Sequence, residues 1–192
     1  MLTPSGGGKK MKKRNFTLVE LLTVIAIISI LAGLSMGGIA MARKKAHETA
    51  AKNECASIKA ALLMYKQNNT TFKKLSVLDS VEEKTDGGCK YYYFTTDNEH
   101  VMKALAGEPM DGDRAANPRK IKYLDQRTKG TEPWQWLDPW NNPYHVLFVA
   151  PGKNKIVDPL QDDETKLLNG EIFIYSVGAD GTVKTVDDIK SW

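Results

Sequence analysis

Cysteine, histidine and proline are scarce in this chain, and each scarcity excludes something. Two cysteines and three histidines in 192 residues leave no Cys/His set at zinc-site spacing. His47, His100 and His145 are scattered, with no companion Ser, Cys or Asp at a nucleophile motif, and no glycine-rich phosphate loop is present. Catalysis is therefore not expected. Proline is absent from residue 5 to residue 108, so nothing in that half of the chain forces a helix to end. Charge is absent from Leu18 to Ala42, 25 residues in which Glu20 is the one exception. At about 1.5 Å per residue, a helix of that length exceeds a hydrocarbon core of about 30 Å.

What is present on either side of that stretch gives it a direction. Lys9, Lys10, Lys12, Lys13 and Arg14 precede it, and Arg43-Lys44-Lys45 follows. Basic flanks are retained on the cytoplasmic side, so the leader is expected inside and the remainder translocated. A cleavable secretory signal has an apolar run of about 7–15 residues and a small-x-small cleavage site. This run is longer and continues as helix, so removal after it is not expected. Taking away the five basic groups of residues 1–15 shifts the formal charge from +4 to −1, which leaves no electrostatic footprint for nucleic acid. Three segments follow: a leader over 1–15, a spanning segment over 16–42, and a globular domain over 43–192.

A plain membrane anchor explains the span and its basic flank, but not a carboxylate inside it. Ionisable groups in spanning segments are costly and by default functional; the bland alternative is a Glu20 that snorkels to the headgroups. Gly33, Gly37 and Gly38 permit two readings, a weak helical segment or close helix packing. Past the span, Ala51, Cys55, Ile58, Leu62 and Tyr65 form one apolar stripe, with Lys52, Asn53, Lys59 and Lys66 off it. The helix is expected from Phe16 to Asn69, about 80 Å long.

Beyond it, Gly87-Gly88 reads as a turn, Tyr91 to Phe94 as a short strand, and Asn98 as the cap of a short helix through Leu105. Ile121 to Asp125, Tyr144 to Val149 and Glu171 to Val177 read as further strands. In the last, alternating side chains are apolar on both faces, so both faces are expected to be covered. One long helix followed by a small antiparallel sheet is an α+β arrangement. Cys55 and Cys89 are open to two readings, a disulfide or two free thiols with Cys55 in the core. Trp134, Trp136, Trp140 and Trp192 read as core-closing residues, Trp192 pinning the last turn. Asp158 with Asp162-Asp163-Glu164 reads as a solvated loop.

Taken together, Phe16-Thr17-Leu18-Val19-Glu20-Leu21-Leu22 after a short basic leader, the long helix, Asp138-Pro139-Trp140-Asn141-Asn142-Pro143-Tyr144, and the tail Ser176-Val177-Gly178-Ala179-Asp180-Gly181 with Asp187-Asp188-Ile189-Lys190-Ser191-Trp192 resemble a type IV pilin or pseudopilin, most nearly the major pseudopilins of type II secretion. The resemblance implies a pilin-like fold and a structural filament subunit driving protein export. The alternatives are a surface pilin for adhesion or DNA uptake and a membrane-tethered binding protein that never polymerises. It implies that a prepilin peptidase cuts between Asn15 and Phe16 and methylates the Phe16 amine. Family leaders usually end in glycine where this one ends in Asn15. It further implies that Glu20 pairs with the Phe16 amine of a neighbouring copy. The implied partners are further copies of the chain, minor pseudopilins and an inner-membrane assembly platform. The implied location is the bacterial inner membrane, single-pass, with the C-terminal domain periplasmic. Asp180, Asp187 and Asp188 hold three carboxylates within nine residues. On pattern alone they read as a turn followed by aspartate capping of a short terminal helix; the resemblance implies Ca2+ instead.

Overall fold

The computed structural model describes residues 16–69, 72–76, 78, 81–109, 116–125, 134–163 and 165–192. The leader, with Asn15, and Glu164 lie outside them. The chain divides into two units, Met1–Lys44 and Lys45–Trp192. Helix α1, Leu18–Asn69, runs through the boundary between them. It starts two residues later than expected, because Phe16 and Thr17 are not helical. In the first unit the side chains from Leu18 to Leu31 are largely exposed, and the helix is long and apolar enough to cross a membrane. Helix α1 passes Gly33, Gly37 and Gly38 without a break, and a Cβ added at Gly33 or Gly38 would meet nothing.

In the second unit the stripe reads out as expected. Ala51, Cys55, Ile58, Leu62 and Tyr65 are all buried. They pack on a five-stranded antiparallel sheet of order β1-β2-β3-β6-β7: β1 Glu82–Asp86, β2 Cys89–Thr95, β3 His145–Val149, β6 Ile172–Ser176 and β7 Ile189–Lys190. A separate hairpin pairs β4 Lys155–Val157 with β5 Leu167–Asn169. Register follows the period of two: His145 opposes Tyr175 and Leu147 opposes Phe173. Phe94, Val146, Phe148, Ile172 and Ile174 therefore face α1, and Tyr91, Leu147, Val149, Phe173 and Tyr175 face away. The outer face is covered by Ile156, Leu160 and Leu168, with Trp192 edge-on to Phe173 and Tyr175. Both faces are covered, and Trp192 holds the last turn as expected.

Helix α2, Glu99–Ala106, is capped by Asn98, whose side chain accepts from Val101 N. It ends at Gly107 with φ 77, where a Cβ would lie 2.8 Å from the Lys120 carbonyl. That close approach explains why Ile121 to Asp125 is not a strand. The amides of Tyr123 and Leu124 donate to Leu105 O at 2.9 and 3.1 Å, and Asn117 Nδ2 donates to Ala104 O and Ile121 O. The backbone of this segment is committed to the end of α2, leaving the sheet without a partner there. Strand β1 went unread because Glu-Glu-Lys-Thr-Asp has no apolar alternation; it pairs with β2 through the Gly87-Gly88 turn, both glycines at positive φ. Both cysteines are free, and burial pushes the Cys55 thiol up to about 12. Asp158 is buried, contrary to the solvated-loop reading, because Oδ1 accepts from Leu160 N at 3.0 Å.

His145 stacks on Tyr175 at 4.6 Å, and its Nδ1 meets the Tyr93 hydroxyl at 2.7 Å. Burial lowers its pKa to about 4 from 6.5, with Lys84 adding to the shift and Asp97 opposing it. The unfolded chain therefore binds more protons than the folded one between those values, and stability must fall as pH drops from 6.5 towards 4. The largest slope one such group contributes is about 1.4 kcal/mol per pH unit. Urea denaturation of wild type and His145→Phe across this range should show a steeper fall in wild type. Parallel profiles would remove His145 as the cause.

Candidate functional site

The N-terminal site is built on three residues. Thr17 ends the non-helical lead-in, and the amide of Glu20 donates to its hydroxyl at 3.2 Å. In return, Glu20 Oε2 accepts from the Thr17 amide and the Thr17 hydroxyl, each at 2.9 Å. This reciprocal pair is a capping box. Its sequence signal, Thr-x-x-Glu, was present in Thr17-Leu18-Val19-Glu20, yet the reading of the carboxylate passed over it. A negative side chain in the first turn also meets the positive end of the helix dipole. Phe16 lies just outside the helix and is mostly exposed. Glu20 therefore has partners within its own chain, and Phe16 stands four residues before it, next to its cap.

The second candidate site is the C-terminal loop. It is anchored on Asp138, to which the spacing of the tail carboxylates does not point. Asp138 is buried, and its Oδ1 accepts from the amides of Trp140 and Asn142 at 2.9 and 2.8 Å. Its Oδ2 accepts from the Ser176 hydroxyl at 2.5 Å. Asn142 Nδ2 then donates to Gly178 O at 2.9 Å. The Asp-Pro-Trp-Asn-Asn turn and the end of β6 are thus joined through one carboxylate. The signal for it was the Asp-Pro turn followed by paired asparagines, which accept local backbone bonds readily.

Beyond Gly178 the chain forms turns up to β7, and no terminal helix appears there. Asp187 takes the role that a helix cap was expected to fill. Its Oδ2 accepts from the amides of Ala179 and Asp180 at 2.7 and 3.2 Å, and its Oδ1 accepts from the Thr185 hydroxyl at 2.7 Å. The Thr185 contact, followed by the loop amides, holds the Asp187 carboxyl below the usual range. Asp188 Oδ2 accepts from the Thr185 amide, while its Oδ1 is buried with no hydrogen-bond donor. Burial raises the Asp188 carboxyl. Asp180 points to solvent, with Oδ1 accepting from Thr182 N. Among the described residues no three His, Cys, Asp or Glu side chains gather as metal ligands. Asp188 Oδ1 is the carboxylate oxygen here left buried without a donor, whereas Asp187 has both oxygens engaged by the loop.

Gly178 has φ 70, and a Cβ there would lie 2.5 Å from Asp187 O and 2.6 Å from Asp187 Oδ2. Gly178→Ala is expected to destabilise the globular unit by more than about 1 kcal/mol and to speed exchange of the Ala179 and Asp180 amides. Unchanged denaturation and exchange would show that the loop is not held through Asp187.

Residues 10–36 match the family described as prokaryotic N-terminal methylation motif. Type II secretion system core protein G of Aeromonas hydrophila is 28% identical over 184 residues, covering 96% of this chain and 95% of that protein. Its counterpart in Escherichia coli K12 is 28% identical, covering 94% and 92%, and that of Vibrio cholerae is 27% identical, covering 96% and 95%. No solved structure matches. The chain thus carries a prokaryotic N-terminal methylation motif and is similar along nearly its whole length to the pseudopilin named type II secretion system core protein G.

Proposed function

We propose that this chain is a structural, non-enzymatic subunit of a type II secretion pseudopilus, polymerising through its N-terminal helix to drive protein export. The observation that carries the reading is the placement of Glu20 in the first turn of a membrane-length helix, beside Phe16, inside a methylation motif that matches over residues 10–36. A prepilin peptidase cuts between Asn15 and Phe16 and methylates the freed amine. Before assembly the subunit is single-pass in the inner membrane, its leader cytoplasmic and its globular domain periplasmic. On assembly, Glu20 faces the Phe16 amine of another copy, while minor pseudopilins and the inner-membrane platform start and feed the filament.

Charge balance explains why this pairing sets register. Removing one partner of a buried ion pair costs about 3–5 kcal/mol, because the other charge stays buried and uncompensated. A subunit inserted out of register strands both groups in lipid. Glu20→Ala is therefore expected to abolish filaments under assembly conditions while leaving the melting point of the globular domain unchanged. Subunits recovered from wild-type filaments should begin at methylated Phe16 by intact mass. Normal filaments from Glu20→Ala would favour a passive tether, and retained Asn15 would remove the processing step.

Calcium held through Asp188, with Asp180 and Asp187 turned in from their present loop contacts, is part of the proposal. It is supported by the buried Asp188 Oδ1 that lacks a donor. Calcium favours hard oxygen ligands such as this carboxylate, and when bound it would supply positive charge that fastens the loop. At a hundredfold excess over Kd, calcium should raise the melting point of the domain by roughly 5–10 °C, and Asp188→Asn should erase the rise. Equal midpoints in calcium and in chelator would end the calcium reading.

A further inference from the structure

The globular unit carries an apolar projection and an apolar recess at opposite ends of the α1 stripe. Contacts along α1 mark the two ends. Lys66 pairs with Glu171 at one; at the other, the Tyr144 hydroxyl donates to Glu54 at 2.6 Å and His47 meets the ring of Trp140. Lys66 and Glu54 are twelve residues apart in the helix, about 18 Å at the standard rise. The loop from Val177 to Asp188 leaves the sheet at the Glu54 end, where Ser176 and Gly178 are tied to Asp138 and Asn142. At its tip Val183 is 44% exposed and Val186 is wholly exposed.

The tip is held in shape before any partner arrives. Asp187 gathers the Ala179 and Asp180 amides, Thr185 bonds both Asp187 and Thr182 O, and Lys184 reaches Asp162 at 2.6 Å. An ordered loop loses little freedom on docking, so its exposed valine is placed for a contact.

The recess lies at the Lys66 end. It has a volume of about 140 Å³, with Phe72, Val149 and Pro151 in its wall and Lys66, Lys153 and Glu171 among its polar lining. An apolar cavity of about 150 Å³ holds benzene, so an isopropyl group fits this one. Charges match as well. The loop carries Asp180 and Asp187, with Lys184 answered by Asp162. At the recess Glu171 is answered by Lys66, and Lys153 adds a further positive charge.

We propose that Val186 of one copy docks into the Phe72–Val149–Pro151 recess of a second copy, with the acidic loop facing that copy's Lys153. The inference rests on the filament reading above and names a contact outside the N-terminal helix. Unlike surfaces meet, so the contact is head-to-tail, and within the proposed filament it continues from copy to copy as an open series.

The test uses the full chain in a Cys89→Ser background under assembly conditions. Val186→Cys with Lys153→Cys in one chain should give, on mild oxidation, a ladder of covalent multimers that neither single variant gives. Mixing the two single-cysteine variants with wild type should give a covalent dimer that needs both, which carries the test if the double variant does not assemble. Val186→Asp should lose filaments that Val186→Ile keeps. Wild-type filaments without any ladder or dimer would overturn the docking and leave the filament reading standing. No filaments from wild type would overturn both.

Discussion

Burial of five side chains on one face of α1 is the constraint on which the globular unit depends. Cys55, Ile58, Leu62 and Tyr65, with Ala51 buried on the same stripe, fill one side of the core, and strands β2, β3 and β6 are registered against them. Apolar contact is not directional, so by itself it leaves sliding along the helix axis poorly fixed. Polar groups inside the same face remove that freedom. Glu54 is buried and accepts from Tyr144, and Tyr65 donates to Ala116 O at 2.6 Å. A slip of one helical turn would strand these groups away from water and partners, at a cost of a few kcal/mol each. Burial, followed by Glu54, pushes the Tyr144 hydroxyl far up, so it remains a donor throughout the physiological range.

That same fixed end organises the loops. The amide of Tyr144 donates to the Thr96 hydroxyl and its carbonyl accepts from the Thr96 amide. Asp138 lies six residues earlier and collects Trp140, Asn142 and Ser176. The C-terminal loop inherits its position from this cluster through Gly178 and Asn142. Its own order comes from Asp187, a carboxylate bound to main-chain amides and a hydroxyl, with no cation required to explain the fold of that part. Asp188 Oδ1 is buried there without a donor.

How much of this was legible depends on whether a residue answered to a period or to a place. The stripe from Ala51 to Tyr65 was readable because burial on a helix repeats every three or four residues. Strands β3 and β6 were readable because both faces are covered and their side chains are apolar throughout. Strand β1 was not, since an edge strand of Glu82, Glu83 and Lys84 satisfies only its backbone. Ile121 to Asp125 looked like a strand in composition, but Gly107 brings the end of α2 within reach of its carbonyls and captures its amides. At the N-terminal site Glu20 was found by its cost in lipid, and Thr17 was missed because its part in the cap is local and inexpensive. Asp138 was missed for a related reason: the Asp-Pro turn with its paired asparagines marks its local contacts, but its bond to Ser176 joins residues 38 apart that no spacing connects.

The two contacts proposed between copies have the same symmetry character. Each joins unlike surfaces, amine to carboxylate in one case and valine tip to recess in the other, so neither closes on a twofold axis. Every copy added satisfies one surface of its predecessor and offers the same surface again. The direction of that offer can be read from α1. The Val186 loop leaves the domain at the Glu54 end, nearer the helix N-terminus, and the recess lies at the Lys66 end, nearer its C-terminus. On the proposed docking, one copy presents its loop at the Glu54 end of its own α1, and the copy it meets receives that loop in the recess at its Lys66 end.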